Sequence, residues 1–165
     1  MKELVGDLVV RSQRFALVVS RFSDLVTAKL LCGATDALKM HGCPDEQMTI
    51  VRVPGARELA LAAKKLADTG AYDAIVCLGC VIRGQTPHFD YVAGAVSRGV
   101  ARVSLDTGVP VVFGVLTTDT LEQALERAGG KSGNRGADAA LTAIEMVNLM
   151  DSIAAGAASP GRSAV

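Results

Sequence analysis

The apolar residues fall into short blocks separated by polar turns, and the period inside the blocks changes along the chain. Phe15 to Ser20 (FALVVS) is apolar up to its last residue, the pattern of a strand covered on both faces. Asp24 to His41 places Leu25, Ala28, Leu31, Cys32, Thr35 and Leu38 at helical spacing, and Gly42 closes that helix. Met48 to Val53 (MTIVRV) predicts a second strand. Arg57 to Thr69 is rich in Ala and Leu and predicts a helix stopped by Gly70. Ala74 to Ile82 (AIVCLGCVI) is the most apolar strand. His88 to about Leu105 is helical and ends near Gly108, and Val109 to Leu116 is strand again. Asp119 and Glu122 form a helix-start signature before a short helix that breaks at Gly129-Gly130, and Arg135 to Asp151 is the last helix.

Strand and helix thus alternate four times. That alternation predicts a three-layer α/β domain: a flavodoxin-like, four-stranded parallel sheet with right-handed crossovers and helices on both faces. Leu4 to Val10 reads as an extra N-terminal strand with no helix after it, able to join the edge of its own sheet or of a neighbour's. The domain is expected to span residues 1–151. Ser152 to Val165, made largely of Ala, Gly, Ser and Pro, is expected to be a floppy tail.

Composition narrows the function. The 165 residues suit one domain with a sizeable core. Seventeen basic and seventeen acidic residues leave no net charge, which argues against nucleic acid as a partner. The mean hydropathy is positive, which suits either surface buried between subunits or a core rich in Ala and Val. The longest charge-free stretch before the tail, Thr107 to Thr118, is too short to span a bilayer, so no membrane partner is expected. The start, Met1-Lys2-Glu3, does not read as a signal peptide. Cys77 and Cys80 form a C-x-x-C, but their odd separation along a strand sends the side chains to opposite faces. With no second pair at zinc spacing, the four cysteines read as small apolar residues in a reducing cytoplasm.

In such a fold ligands bind at the carboxyl ends of the strands. The segments there are Arg21-Phe22, Pro54 to Glu58, Arg83 to His88, and Thr117-Thr118. Gly55 and Gly84 allow backbone to approach a ligand. Thr86-Pro87 sets a helix start whose free N–H groups suit an anion. His88 lies in that first turn and can carry protons near neutral pH. Taken alone, His88 also fits a surface or capping histidine, and Phe22 also fits the core. His41 beside Gly42 reads as a helix-end residue meeting the last carbonyls.

GCVIRGQTPHFDYV (Gly79 to Val92) resembles the signature of lumazine synthases. VPGARELALAAKKLA (Val53 to Ala67) is similar to a second segment of that family, which usually reads V-P-G-[SA]-[FWY]-E. GVPVVFGVLTTDTLEQALERAGGKSGNRGADAALTAIEMVNL resembles the family's C-terminal half, and the likeness runs from about Leu4 to Asp151. The resemblance implies that 5-amino-6-(D-ribitylamino)uracil condenses with 3,4-dihydroxy-2-butanone 4-phosphate. Phosphate and water leave, and 6,7-dimethyl-8-ribityllumazine forms without metal or organic cofactor.

The resemblance also implies residue roles. Phe22 would stack on the pyrimidine, Ala56, Arg57 and Glu58 would line the ribityl and pyrimidine site, and Cys80, Val81 and Ile82 would offer backbone groups to the pyrimidine edge. Gln85 and Thr86 would hold the phosphate, with Arg127 as its forked cation, and His88 would carry the proton. Phe113 and Arg127 would arrive from an adjacent subunit. The family forms homopentamers, and some members pack twelve of them into an icosahedral 60-mer. The short link Gly129 to Asn134 and the Pro-free N-terminal segment imply that shell, with riboflavin synthase as an associated partner.

This chain departs from the pattern at Arg57, which replaces an aromatic, at Arg135, which replaces the Lys of G-N-K-G, and at Cys80 and Gln85. Arg135 keeps the charge and is expected at the substrate. Two other classes fit the residues: a flavin- or ligand-binding module of the same fold, and a shell-forming homologue with weakened catalysis. Turnover of the two substrates separates them.

Overall fold

A computed structural model of the chain describes residues 1–157. Strands β1 (Phe15–Ser20), β2 (Met48–Val53), β3 (Ala74–Ile82) and β4 (Val111–Thr118) form one parallel sheet in the order β2-β1-β3-β4. Helices α1 (Asp24–Met40), α2 (Leu59–Asp68) and α3 (His88–Thr107) make the crossovers. After β4 come α4 (Leu121–Glu126), a small antiparallel hairpin of β5 (Ala128–Gly130) and β6 (Gly133–Asn134), and α5 (Arg135–Ala157).

The continuous apolar runs explain why β1 and β3 sit centrally. Along β1, Phe15, Leu17 and Val19 enter the core beneath α1 and α5, while Ala16 and Val18 enter the one beneath α2 and α3. β3 alternates likewise, with Val76, Leu78 and Cys80 on the first face and Ile75, Cys77 and Val81 on the second. The two cysteines of the C-x-x-C therefore point to opposite cores, as their spacing requires. Each large side chain so buried contributes about 1.5–3 kcal/mol. Gly108 ends α3 in a left-handed conformation (φ 71°), which suits a residue without Cβ.

Several expectations change, among them the bounds of β4, found two residues later than expected. The buried face of α1 is Val26, Thr27, Leu30, Leu31, Ala34, Ala37 and Leu38, rotated from the expected stripe, so that Leu25 and Cys32 face outward. Two apolar stripes overlap on this helix, and the one with more branched and small residues packs on the sheet. The cap of α4 is Thr120, whose hydroxyl accepts from the Gln123 N–H at 3.1 Å, one residue beyond the Asp119 and Glu122 signature. The last helix continues to Ala157, past the Asp151 boundary. Ser152 donates its hydroxyl to the Asn148 carbonyl at 2.9 Å, and Ala154, Ala155 and Ala157 beyond it are strong helix formers. The rest of the expected tail, 158–165, lies outside the described residues.

The N-terminal segment adds no strand to the sheet of its own chain. It lies instead on α5, where the buried Asn148 gathers it. The Asn148 side-chain oxygen accepts from Gln13 Nε2 (3.0 Å) and Arg11 Nη1 (3.2 Å), and its nitrogen donates to the carbonyls of Asp7 (2.9 Å) and Val9 (3.0 Å). The Val10 N–H donates to the His41 carbonyl at 2.9 Å. Gly6 passes so close to the helix that a Cβ would overlap the Glu145 carbonyl. No helix among the described residues is long and apolar enough to cross a membrane.

Replacing Asn148 by Ala leaves the buried Gln13 amide without its partner and releases the Asp7 and Val9 carbonyls, and should lower stability by roughly 1–3 kcal/mol. Thermal unfolding checks the magnitude, and limited proteolysis should cut the variant before Val10 far faster than the parent. Equal cutting of both would show that Asn148 does not hold the segment.

Candidate active site

The sheet order reverses direction between β1 and β3, because α1 leads from β1 to one side and α2 then carries the chain back past it. At that point β3 outlasts its neighbour. The β1–β3 ladder ends at Val19 and Leu78, whereas the β3–β4 ladder continues to Ile82 and Thr118. The β1-facing side of Cys80 to Ile82 therefore overhangs into a crevice with no strand to pair it, leaving backbone groups for a ligand.

The turns around this crevice are firmly made. The Arg21 N–H donates to the Val53 carbonyl (2.8 Å) and the Phe22 N–H to that of Pro54 (3.1 Å), tying the exits of β1 and β2 together. Thr27 is buried and donates its hydroxyl to the Ser20 carbonyl at 2.9 Å. Ser23 then adopts a left-handed conformation (φ 64°, ψ 42°), which costs a residue bearing Cβ about 1–2 kcal/mol. This strained turn leaves Phe22 75 % exposed at the rim. After β2, Gly55 precedes a single 3-10 turn, Ala56–Glu58, that feeds α2. After β3, the exposed loop Arg83 to Pro87 leads into α3 at His88.

These elements enclose a cleft of about 460 Å³. Phe22, Ala56, Arg57, Glu58, Cys80, Val81, Ile82, Thr86 and His88 all line it, joined by Gly55, Gly84, Phe89 and Val92. Its walls are mainly apolar, with Arg57, Glu58 and His88 as the charged or proton-carrying groups. Arg57 makes no ion pair among the described residues, so the cation in place of an aromatic faces the cleft uncommitted. Cys80 is buried, and burial pushes its thiol up to about 11; at neutral pH it is a protonated, apolar group and its useful polar atoms are those of its backbone. Cys77 is pushed up to about 12 by the same cause.

Phe113, Arg127 and Arg135 lie elsewhere. They line a second hollow of about 320 Å³ along β4 from Val112 to Thr118, against α5. β4 is an edge strand, and Phe113 is 40 % exposed there. Arg127 lines the hollow, and its Nη1 donates to the Gln123 carbonyl at 2.9 Å with the Glu126 carboxylate 3.9 Å away. Arg135 pairs with Asp138 at 2.9 Å. Gln85 is exposed on its loop and lines neither hollow. His41 meets the Ala37 carbonyl at 2.7 Å through Nδ1, a helix-end contact.

Several wall residues go beyond the sequence expectation. Val92 stands one helical turn after His88, so the period of α3 signals it. Phe89 carries no such signal, because an aromatic in a first turn is as readily core as wall. Asp138 and Thr142 on the second hollow belong to the outward face of α5, which sequence alone reads as solvent.

The model of a family described as 6,7-dimethyl-8-ribityllumazine synthase matches residues 12–151. The match takes in every residue that lines the two hollows.

Proposed function

Because the chain belongs to the 6,7-dimethyl-8-ribityllumazine synthase family, as the match over residues 12–151 shows, we propose that its two hollows are the two halves of one catalytic site, completed only between neighbouring subunits. The chain is a transferase of riboflavin biosynthesis. It condenses 5-amino-6-(D-ribitylamino)uracil with 3,4-dihydroxy-2-butanone 4-phosphate, giving 6,7-dimethyl-8-ribityllumazine, phosphate and water. The observation that carries the proposal is the division itself. Nine proposed site residues share the cleft at the sheet's reversal point, while Phe113, Arg127 and Arg135 share the hollow at its edge.

The chemistry assigns the roles. The pyrimidine stacks on the exposed Phe22 ring and meets the overhanging backbone of Cys80 to Ile82. Glu58 accepts from ribityl hydroxyls, and Arg57 donates to oxygens of the same substrate, a task an aromatic could not perform. The phosphate lies at the start of α3, against Thr86, where free N–H groups and the helix dipole favour an anion, and the exposed Gln85 beside it has to turn inward to join. Arg127 of a neighbour supplies the forked cation, with Arg135 beside it and Phe113 closing over the ring. Amine and ketone are thereby held together. Imine formation releases water, and loss of phosphate follows as a proton is removed from the carbon chain. Closure of the second ring releases a further water. His88 is the group able to accept and return protons within this cleft.

The assembly we propose is a homopentamer, twelve of which form an icosahedral shell. Its support is apolar surface that one chain leaves bare. Leu61 is 68 % exposed, Leu105 86 % and Val5 64 %, spread over the α2, α3 and N-terminal faces. The N-terminal segment is pinned through its backbone to Asn148, which turns Leu4, Val5 and Val9 outward for a neighbour. The link between α4 and α5 folds into the short hairpin β5–β6.

Replacing His88 by Ala should lower kcat by roughly ten- to a thousand-fold with the fold intact. Replacing Arg127 by Ala should raise KM for the butanone phosphate far more than for the ribityl pyrimidine, because only the former carries a dianion. Steady-state kinetics with each substrate varied in turn checks both, and an unchanged kcat for the His88 variant would remove the proton-carrier role. For the assembly, light scattering at neutral pH should find particles of about 1,000 kDa built from the 17.0 kDa chain. Pentamers or decamers alone, across several buffers, would refute the shell while leaving the enzyme assignment intact.

A further inference from the structure

The loop that carries Thr86 has little of its own to hold it. Gly84, Gln85, Thr86 and Pro87 are all exposed, and a Cβ added at Gly84 would meet nothing within 4 Å. Such a segment moves freely unless something closes it. The closing group is Arg83. Its N–H donates to the Thr118 carbonyl at 2.9 Å, extending the β3–β4 ladder by one rung. Its side chain then reaches across the base of the loop. Nε donates to Asp119 Oδ1 at 3.0 Å, Nη1 lies 3.3 Å from Asp90 Oδ1, and the guanidinium stands 4.1 Å over the ring of Phe89. One planar cation thus joins the end of β3, the first turn of α3 and the turn after β4.

We propose that Arg83 is a positioning residue, which holds the loop and the first turn of α3 so that Thr86 and His88 meet the substrate in register. The proposal rests on the reading of the adjoining cleft as the catalytic site. Each contact by itself is a surface interaction of small worth. Together they use the fork and the face of one guanidinium, a geometry that Lys cannot copy. Phe89 also lines the cleft, so the cation above its ring sets part of the wall as well as the loop. Arg83 itself touches no substrate. It acts through groups that do, and a misplacement on the order of 1 Å in such groups costs about a hundredfold in rate.

The test uses the assembled enzyme and compares Arg83→Gln, Arg83→Lys, Asp119→Asn and His88→Ala with the parent. Arg83→Gln should lower kcat by roughly ten- to a hundred-fold, while KM for the ribityl pyrimidine, bound mainly at Phe22 and β3, changes by less than about threefold. Arg83→Lys should recover only part of the loss, and added guanidinium ion at millimolar concentration should raise the rate of Arg83→Gln but not of the parent. Asp119→Asn keeps the cation and removes one anchor, so it should lie between the parent and Arg83→Gln; it carries the test if Arg83→Gln fails to assemble. The proposal is overturned if Arg83→Gln, or Asp119→Asn in its place, turns over at the parental rate per assembled site. It is also overturned if Arg83→Lys restores full activity. The underlying reading of the cleft is judged separately by His88→Ala, since parental activity in that variant would reject the cleft whatever Arg83 does.

Discussion

Burial of β1 and β3 on both faces is the constraint from which the site follows. Residues Phe15 to Val19 and Ala74 to Leu78 are wholly covered, six of their side chains serving the core under α1 and α5 and four the core under α2 and α3. Two such strands have to lie side by side at the centre, and the flanking strands have to take the edges. The chain must then reverse its direction of travel between them, which opens a crevice at their carboxyl ends. β3 is three residues longer than β1, nine against six, and its excess projects into that crevice. The polar backbone offered to a substrate is thus a product of apolar packing farther down the same strand.

The same sheet order divides the functional residues. β4 is left at an edge, and everything that follows it in the chain packs near that edge. Arg127 ends α4, Arg135 opens α5, and Phe113 faces out from β4 itself. Within one chain they line a hollow separate from the cleft at the reversal point, with β3 between β4 and β1. An edge strand with an arginine-lined hollow is a natural place for a neighbour's incomplete cleft to dock. The proposed shared site makes assembly a condition of catalysis, and the apolar surface left bare on the helices is the surface such an assembly would cover.

Much of this is legible in the sequence because the relevant signals are strong and local. Continuous apolar runs mark the central strands, and the bounds of β3 read from AIVCLGCVI are those found. Loops after the strands hold Phe22, Glu58, Thr86 and His88, and the structure brings those four into one cleft. Other features depend on contacts that no local pattern carries. The buried stripe on α1 differs from the expected one because two stripes compete on that helix, and only the sheet decides between them. The N-terminal segment has strand-like residues, yet Asn148, more than a hundred positions away, takes two of its backbone carbonyls, those of Asp7 and Val9. Arg83 reads as an ordinary loop cation, since Phe89, Asp90 and Asp119 gather around it only after α3 and β4 are in place.

If each site takes residues from two chains, His88→Ala and Arg127→Ala assemblies that are dissociated and allowed to reassemble together should recover activity. Each variant alone should be impaired at every site. In a mixed ring some interfaces join an intact His88 cleft to an intact Arg127 hollow, and random mixing in equal amounts makes about a quarter of them complete. Activity per site should therefore rise to about a quarter of the parental value on mixing. Verified mixed assemblies with no more activity than the two separate variants would contradict a shared site.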